Sequence, residues 1–184
     1  MSERAAAVLK EIEALASVEF LPIIGPVKGK YLVDTLKRVK ANSVLEVGTL
    51  VGYSAILMAQ YLPSGGMVHT IEIDPSLAHL AQRNIDEAGL GGKITVHPGD
   101  ALDVIPTLNI SFDMLFIDAA KNEYLDYLRL VESKLRSRGA VFADNAGVFA
   151  SEMRDYLAYV RDSGKYRSEY HAVGSDGVEI SLKL

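Results

Sequence analysis

The chain has 184 residues, 49% of them apolar and 23% charged, which suits one globular core and excludes a disordered chain, a collagen-like chain and a coiled coil. With 19 Lys and Arg against 24 Asp and Glu the formal charge is −5, which argues against broad, unspecific nucleic-acid binding. The absence of cysteine excludes disulfides, thiol catalysis and cysteine metal sites.

Ser2 is placed to cap a first helix with Ala5, Val8, Leu9, Ile12, Leu15 and Ala16 on one face. The opening Met1-Ser2-Glu3-Arg4 lacks a basic stretch, apolar core and cleavage site, so no signal peptide is expected and a cytoplasmic location is. Glu19 to Gly29, with two prolines and two glycines, reads as a loop. A second helix is predicted over Val27–Lys40, with Leu32, Val33, Leu36 and Val39 facing inward. Lys28, Lys30, Lys37, Arg38 and Lys40 form a basic run. Lys30, Asp34, Lys37 and Arg38 share a face opposite the leucines, so a solvated face is expected over a phosphate or RNA contact.

After Asn42 the pattern changes. Apolar runs of strand length at Ser43–Val47, Met67–Ile73, Ile94–His97, Phe112–Ile117 and Ala140–Ala143 alternate with helical stretches. The helices are predicted at Tyr53–Tyr61, Pro75–Ala88, Ala101–Leu108, Tyr124–Leu135 and Ser151–Ser163. Continuous apolar strands alternating with helices indicate a parallel sheet covered on both faces. Tyr166–Val173 and Val178–Leu184, joined only by Gly174-Ser175-Asp176-Gly177, must form an antiparallel hairpin. The expected fold is α/β: a doubly wound, mostly parallel seven-stranded sheet with a C-terminal antiparallel hairpin, in a single domain over 1–184. Val47 to Ile71 carries no Asp, Glu, Lys or Arg, but its glycines, Pro63, Gln60 and His69 make it strand, turn, helix and strand, not a membrane span.

In such a sheet, ligands bind at the carboxyl ends of the strands. The first strand runs out through Gly48-Thr49-Leu50-Val51-Gly52-Tyr53-Ser54. Gly48 lets the backbone approach a ligand, Gly52 lets the turn enter a helix, and the free N–H groups suit an anion. The G-x-x-x-G spacing is neither the dinucleotide fingerprint nor a hydrolase elbow. Glu72, 24 positions after Gly48, is placed to accept both ribose hydroxyls, while Asp74 before Pro75 suits a helix cap. Asp100-Ala101 either edges an adenine or begins a helix with Asp100 as its cap. Asp118 ends the fourth strand, and Asp144-Asn145 end the fifth. Three hard oxygen donors on adjacent tips, without His or Cys, select Mg²⁺, or Ca²⁺ or Mn²⁺, over zinc. Lys121, three residues on, is either a base near that rim or a solvated lysine.

Leu45-Glu46-Val47-Gly48-Thr49-Leu50-Val51-Gly52-Tyr53-Ser54, Ile71-Glu72, Phe116-Ile117-Asp118-Ala119-Ala120-Lys121 and Ala143-Asp144-Asn145 together resemble the metal-dependent catechol and caffeoyl-CoA O-methyltransferases, which use S-adenosylmethionine. Gly25-Pro26-Val27-Lys28-Gly29, Tyr156–Arg161 and Asp176-Gly177 extend the likeness over nearly the whole chain. The resemblance implies a Rossmann-like fold whose residues 1–42 form part of the substrate and cofactor cover. It implies a cofactor site of Ile24, Glu46, Gly48, Thr49, Gly52, Tyr53, Ser54, Glu72, Ile73, Asp100, Ala101 and Asp118. It further implies Mg²⁺ on Asp118, Asp144 and Asn145, and Lys121 as base with Asp118 beside it. The acceptor would be a catechol-like, hydroxylated aromatic small molecule. A homodimer and no membrane partner are expected. A tRNA hydroxyuridine acceptor and a non-catalytic S-adenosylmethionine-binding module are the alternatives. Ala120 stands where catechol O-methyltransferase has a large aromatic, and the short turn Gly174–Gly177 replaces a loop that supplies a substrate-binding carboxylate. The pocket is therefore expected to be open or completed by a second subunit.

Overall fold

The structure, a computed structural model, describes residues 2–184. Helix α1 (Glu3–Val18) starts at Ser2, whose side chain accepts a hydrogen bond from the Ala5 amide. Helix α2 (Gly25–Arg38) begins two residues earlier than the sequence pattern suggests. Pro26 fits a first helical turn, where no amide hydrogen is needed, so the preceding loop is shorter. Strands β1 (Ser43–Val47), β2 (Met67–Glu72), β3 (Ile94–Pro98), β4 (Phe112–Ile117) and β5 (Leu135–Ala143) alternate with α3 (Tyr53–Ala59), α4 (Pro75–Glu87), α5 (Ala101–Thr107) and α6 (Tyr124–Glu132). Helix α7 (Arg154–Asp162) and strands β6 (Tyr166–Val173) and β7 (Asp176–Lys183) complete the chain.

The seven strands lie in the order β3-β2-β1-β4-β5-β7-β6. The first five are parallel, β7 runs antiparallel to β5, and β6 antiparallel to β7. Alternate residues of the parallel strands serve two cores. Val44, Met114 and Phe142 join the apolar face of α1–α4, whereas Leu45, Leu115 and Val141 join that of α5–α7. This is the doubly wound, Rossmann-like arrangement expected. Strand β5 begins five residues before the expected Ala140. Arg136, Ser137 and Arg138 are exposed, and Arg138, at φ 64°, sits where the register with β4 shifts. A polar strand beginning with a bulge carries no apolar run to read. Leu15, predicted on the buried face of α1, is 43% exposed, whereas Ala5, Val8, Leu9 and Ile12 of that face are buried.

The strand order reverses between β1 and β4, which opens a crevice at their carboxyl ends. Backbone bonds tie its floor: Gly48 N–H to the Ile71 carbonyl, and Asp118 N–H to the Val47 carbonyl. Gly48 adopts φ +100°, and a β-carbon there would lie 2.1 Å from the Asp118 carbonyl oxygen. Gly65, at φ +79° with nothing within 4 Å of where a β-carbon would stand, isolates the conformational cost alone. Gly65→Ala should lose about 1 kcal/mol and Gly48→Ala about 3 kcal/mol in urea denaturation, the difference being the steric part.

Candidate active site

The cavity at this crevice has a volume of about 580 Å³. Of the residues singled out in the sequence, Ile24, Gly48, Thr49, Tyr53, Ser54, Glu72, Ile73, Asp100, Ala101, Asp118, Lys121, Asp144 and Asn145 line it together. Gly52 and Glu46 lie outside the lining. Gly52, at φ +87°, starts α3 and packs on Ala81, so its part is to shape the turn. Glu46 is fully buried beneath the wall, where its Oε1 accepts a hydrogen bond from the Ser54 hydroxyl and its Oε2 has no partner. Burial pushes its carboxyl up to about 8, against the opposing effect of the Ser54 and Thr70 hydroxyls.

On the β2 side, Glu72 accepts hydrogen bonds from the Leu50 amide at 2.7 Å and the Asp74 amide at 3.0 Å, which fixes its carboxylate at the cavity edge. Asp74 caps α4, as its place before Pro75 suggests. Asp100 caps α5 through the Leu102 amide, as one of its two readings expects, and also lines the cavity. The Tyr53 hydroxyl donates to Glu13 at 2.5 Å, which ties α1 to the cavity wall. A wall with no room for a β-carbon at Gly48 and a fixed carboxylate at Glu72 fits a nucleoside-containing ligand.

The oxygen donors occupy the other side. The Lys121 ammonium donates to Asp118 Oδ1 and to the Tyr124 hydroxyl, both at 3.0 Å, and that hydroxyl donates to the Asp144 carbonyl at 3.3 Å. Lys28 is a correction to the sequence reading. Read only as part of the basic run, it turns inward and places its ammonium 2.6 Å from both Asp144 Oδ1 and Asp176 Oδ2, with its side chain 13% exposed. Lys30 does stay on the solvent side, paired with Asp34 at 2.8 Å. The signal for Lys28 was present: it stands four and eight residues before Leu32 and Leu36, on the apolar face of α2. Asp176, read as part of a turn, is the first residue of β7, because the hairpin turns on Gly174-Ser175 alone. It supplies a carboxylate near the site from the short hairpin itself. Phe149, which no spacing singled out, adds an aromatic wall with Lys121 Nζ 5.8 Å from its ring centre.

Around these strand ends three carboxylates, Asp118, Asp144 and Asp176, face two ammonium groups, Lys28 and Lys121. Burial first, and then the negative charge of Asp118, push the Asp144 carboxyl up even though Lys28 sits beside it. The set is short of one positive charge. Among the described residues no three His, Asp or Glu side chains form a metal cluster. The available donors are two carboxylates and the Asn145 amide, a hard, all-oxygen set that fits Mg²⁺ or a similar ion and leaves positions for other oxygens.

A family model described as O-methyltransferase matches residues 2–155. A catechol O-methyltransferase from Niastella koreensis is 40% identical over 126 residues, covering 66% of this chain and 57% of that protein. The mouse catechol O-methyltransferase is 36% identical over 173 residues, covering 90% of this chain and 64% of that protein. The chain thus spans under two thirds of the length of these curated relatives. Among solved structures, an O-methyltransferase from Bacillus cereus in complex with SAH superposes with a TM-score of 0.87 at 28% identity, over 97% of this chain and 91% of that one. An O-methyltransferase of tomaymycin synthesis from Streptomyces achromogenes, in complex with SAM, gives 0.85 at 26% identity, over 100% and 90%.

Glu46 yields a prediction for pH. Its carboxyl titrates near the usual carboxylate range in the unfolded chain and at about 8 in the folded protein, so between these values the folded state holds one more proton. The stability from this group is complete at low pH, declines as pH rises from about 5 to 8, and changes no further above that. Glu46→Gln should therefore show a flatter stability profile than the unmodified protein across that window, measured by urea denaturation at a series of pH values.

Proposed function

This chain belongs to the O-methyltransferase family, and from that premise we propose that it transfers a methyl group from S-adenosylmethionine to a hydroxyl of a catechol-like small molecule, with a divalent cation. The observation that carries this reading is the oxygen set of Asp118, Asp144 and Asn145 on the same cavity as the Gly48 turn and Lys121, in a corner where three carboxylates face two ammonium groups. Support for the cofactor comes from the family match and from the neighbours solved with SAH and SAM. Support for a small aromatic acceptor comes from Phe149 and Ile24 on the cavity wall and from the relatives named catechol O-methyltransferase.

When bound, S-adenosylmethionine supplies a methyl group on a positively charged sulfur, and a divalent cation supplies Lewis acidity to the acceptor hydroxyl. The residues of the chain do the rest. Gly48, Thr49, Tyr53 and Ser54, with Ile24, hold the methionine portion. Glu72 accepts from the ribose, with Ile73 beside it, and Asp100 and Ala101 edge the adenine. Asp118, Asp144 and Asn145 hold the cation. Lys121, once it has given one ammonium proton to solvent, takes the hydroxyl proton at Nζ, and its bonds to Asp118 and Tyr124 keep that nitrogen at the cavity. Ile24 and Lys28 add the N-terminal segment to the cavity lining, and the Glu13–Tyr53 bond ties α1 to that wall.

The test is release of S-adenosylhomocysteine from a panel of catechols and flavonoids, with and without Mg²⁺. Turnover should require the metal and stop in EDTA; full activity in excess EDTA would contradict the reading. Lys121→Met should lower kcat by about 10²- to 10⁴-fold while the affinity for S-adenosylhomocysteine stays unchanged by isothermal titration.

A further inference from the structure

Two residues beside the oxygen donors, Lys28 and Asp176, have no part in holding the cation or moving a proton in this reading. We propose that Lys28 and Asp176 are positioning residues that turn one oxygen of Asp144 and one oxygen of Asn145 toward the cavity as donors for a divalent cation. The inference rests on the metal-dependent reading above and extends it to side chains that would not themselves touch the ion.

A carboxylate accepts hydrogen bonds and cannot donate, whereas an amide has one donor end and one acceptor end. Asp176 uses all its capacity. Its Oδ2 accepts from the Lys28 ammonium at 2.6 Å and from Asn145 Nδ2 at 2.9 Å, and its Oδ1 accepts from the Gly147 and Val148 amides at 3.1 and 2.9 Å. Binding Nδ2 to a carboxylate fixes which way the Asn145 amide points. Its carbonyl oxygen must then face away from Asp176, and Asn145 lines the cavity.

Lys28 does the same for Asp144. Asp144 Oδ1 accepts from Lys28 at 2.6 Å and from the Asn145 backbone amide at 2.7 Å. Among the described residues Oδ2 accepts no hydrogen bond, so one oxygen is held and the other left for a ligand. The Asp144 side chain is 3% exposed, so water does not screen this pair as it would on the surface. Lys28 thus bridges the start of α2, the end of β5 and the start of β7, joining positions 148 residues apart. An ammonium shared by Asp144 and Asp176 cannot follow one carboxylate without leaving the other, which gives the carboxylates a single arrangement.

Partners of this kind behind metal ligands typically govern affinity by 10- to 100-fold. Mn²⁺ binding can be followed by the loss of the free-ion electron paramagnetic resonance signal, without turnover. Asp176→Asn and Lys28→Met should each weaken Mn²⁺ binding by about 10- to 100-fold, with S-adenosylhomocysteine affinity close to that of the unmodified protein. Lys28→Arg, which keeps the charge, should bind Mn²⁺ nearly as well as the unmodified protein. Asp176→Asn is nearly isosteric and carries the test alone if Lys28→Met does not fold. If both variants bind Mn²⁺ normally while Asp118→Ala does not, the positioning role is wrong and the metal reading stands. A loss of Mn²⁺ affinity matched by an equal loss of S-adenosylhomocysteine affinity also overturns the role, since that is general damage to the cavity. An unmodified protein that binds no Mn²⁺ removes the metal reading and this inference together.

Discussion

The passage of the Gly48 turn against the backbone of Asp118 is the contact on which the rest of the molecule depends. Two parallel strands diverge there, and the carbonyl of Asp118 fills the space that any β-carbon at position 48 would need. The crevice is therefore walled by backbone on the β1 side and by a carboxylate on the β4 side, with nothing bulky between them. Only glycine combines the positive φ with that approach. The cavity, its cradle and the reach of Asp118 into it all follow from this one packing constraint.

Around that contact the two halves of the cavity divide their chemistry. On the β2 and β3 side, carboxylates are fixed by backbone amides: Glu72 by Leu50 and Asp74, Asp100 by Leu102. Among the described residues they pair with no cation, and as acceptors they suit the hydroxyl and amino edges of a nucleoside. On the β5 and β7 side, carboxylates are fixed by ammonium groups and by one another's surroundings, and the sum of charge is negative. The repulsion between Asp118 and Asp144 is the cost of assembling that corner, and a bound cation would relieve it. Strand order alone, with β1 and β4 central, sets these two environments side by side.

The α2 helix shows how the cover belongs to the same system. Its apolar face of Leu32, Val33 and Leu36 anchors it to the core, and Lys28 extends that face into the cavity instead of to solvent. The long aliphatic stem of lysine permits this, since it packs like the residues below it while the ammonium reaches two carboxylates. The basic run visible in the sequence is thus divided by helical geometry into an inward residue and outward ones.

Most of the fold was legible in the residues: the strand and helix alternation, the hairpin forced by a short connection, the caps at Ser2 and Asp74, and the strand-end carboxylates. Each depends on neighbours within a few positions, where periodicity and turn chemistry act. The bulged, polar beginning of β5 was not, because exposed residues leave no hydrophobic pattern. The oxygen donors of the candidate site could be named in advance because a parallel sheet presents every strand end to the same rim. The partners of those donors could not. Whether Lys28 meets solvent or Asp144, and whether Asp176 closes a turn or orients Asn145, depends on which distant segments meet. Local sequence determined which groups stand at the rim; tertiary packing decided how each is held, because charge pairing and burial arise only between segments that the fold brings together.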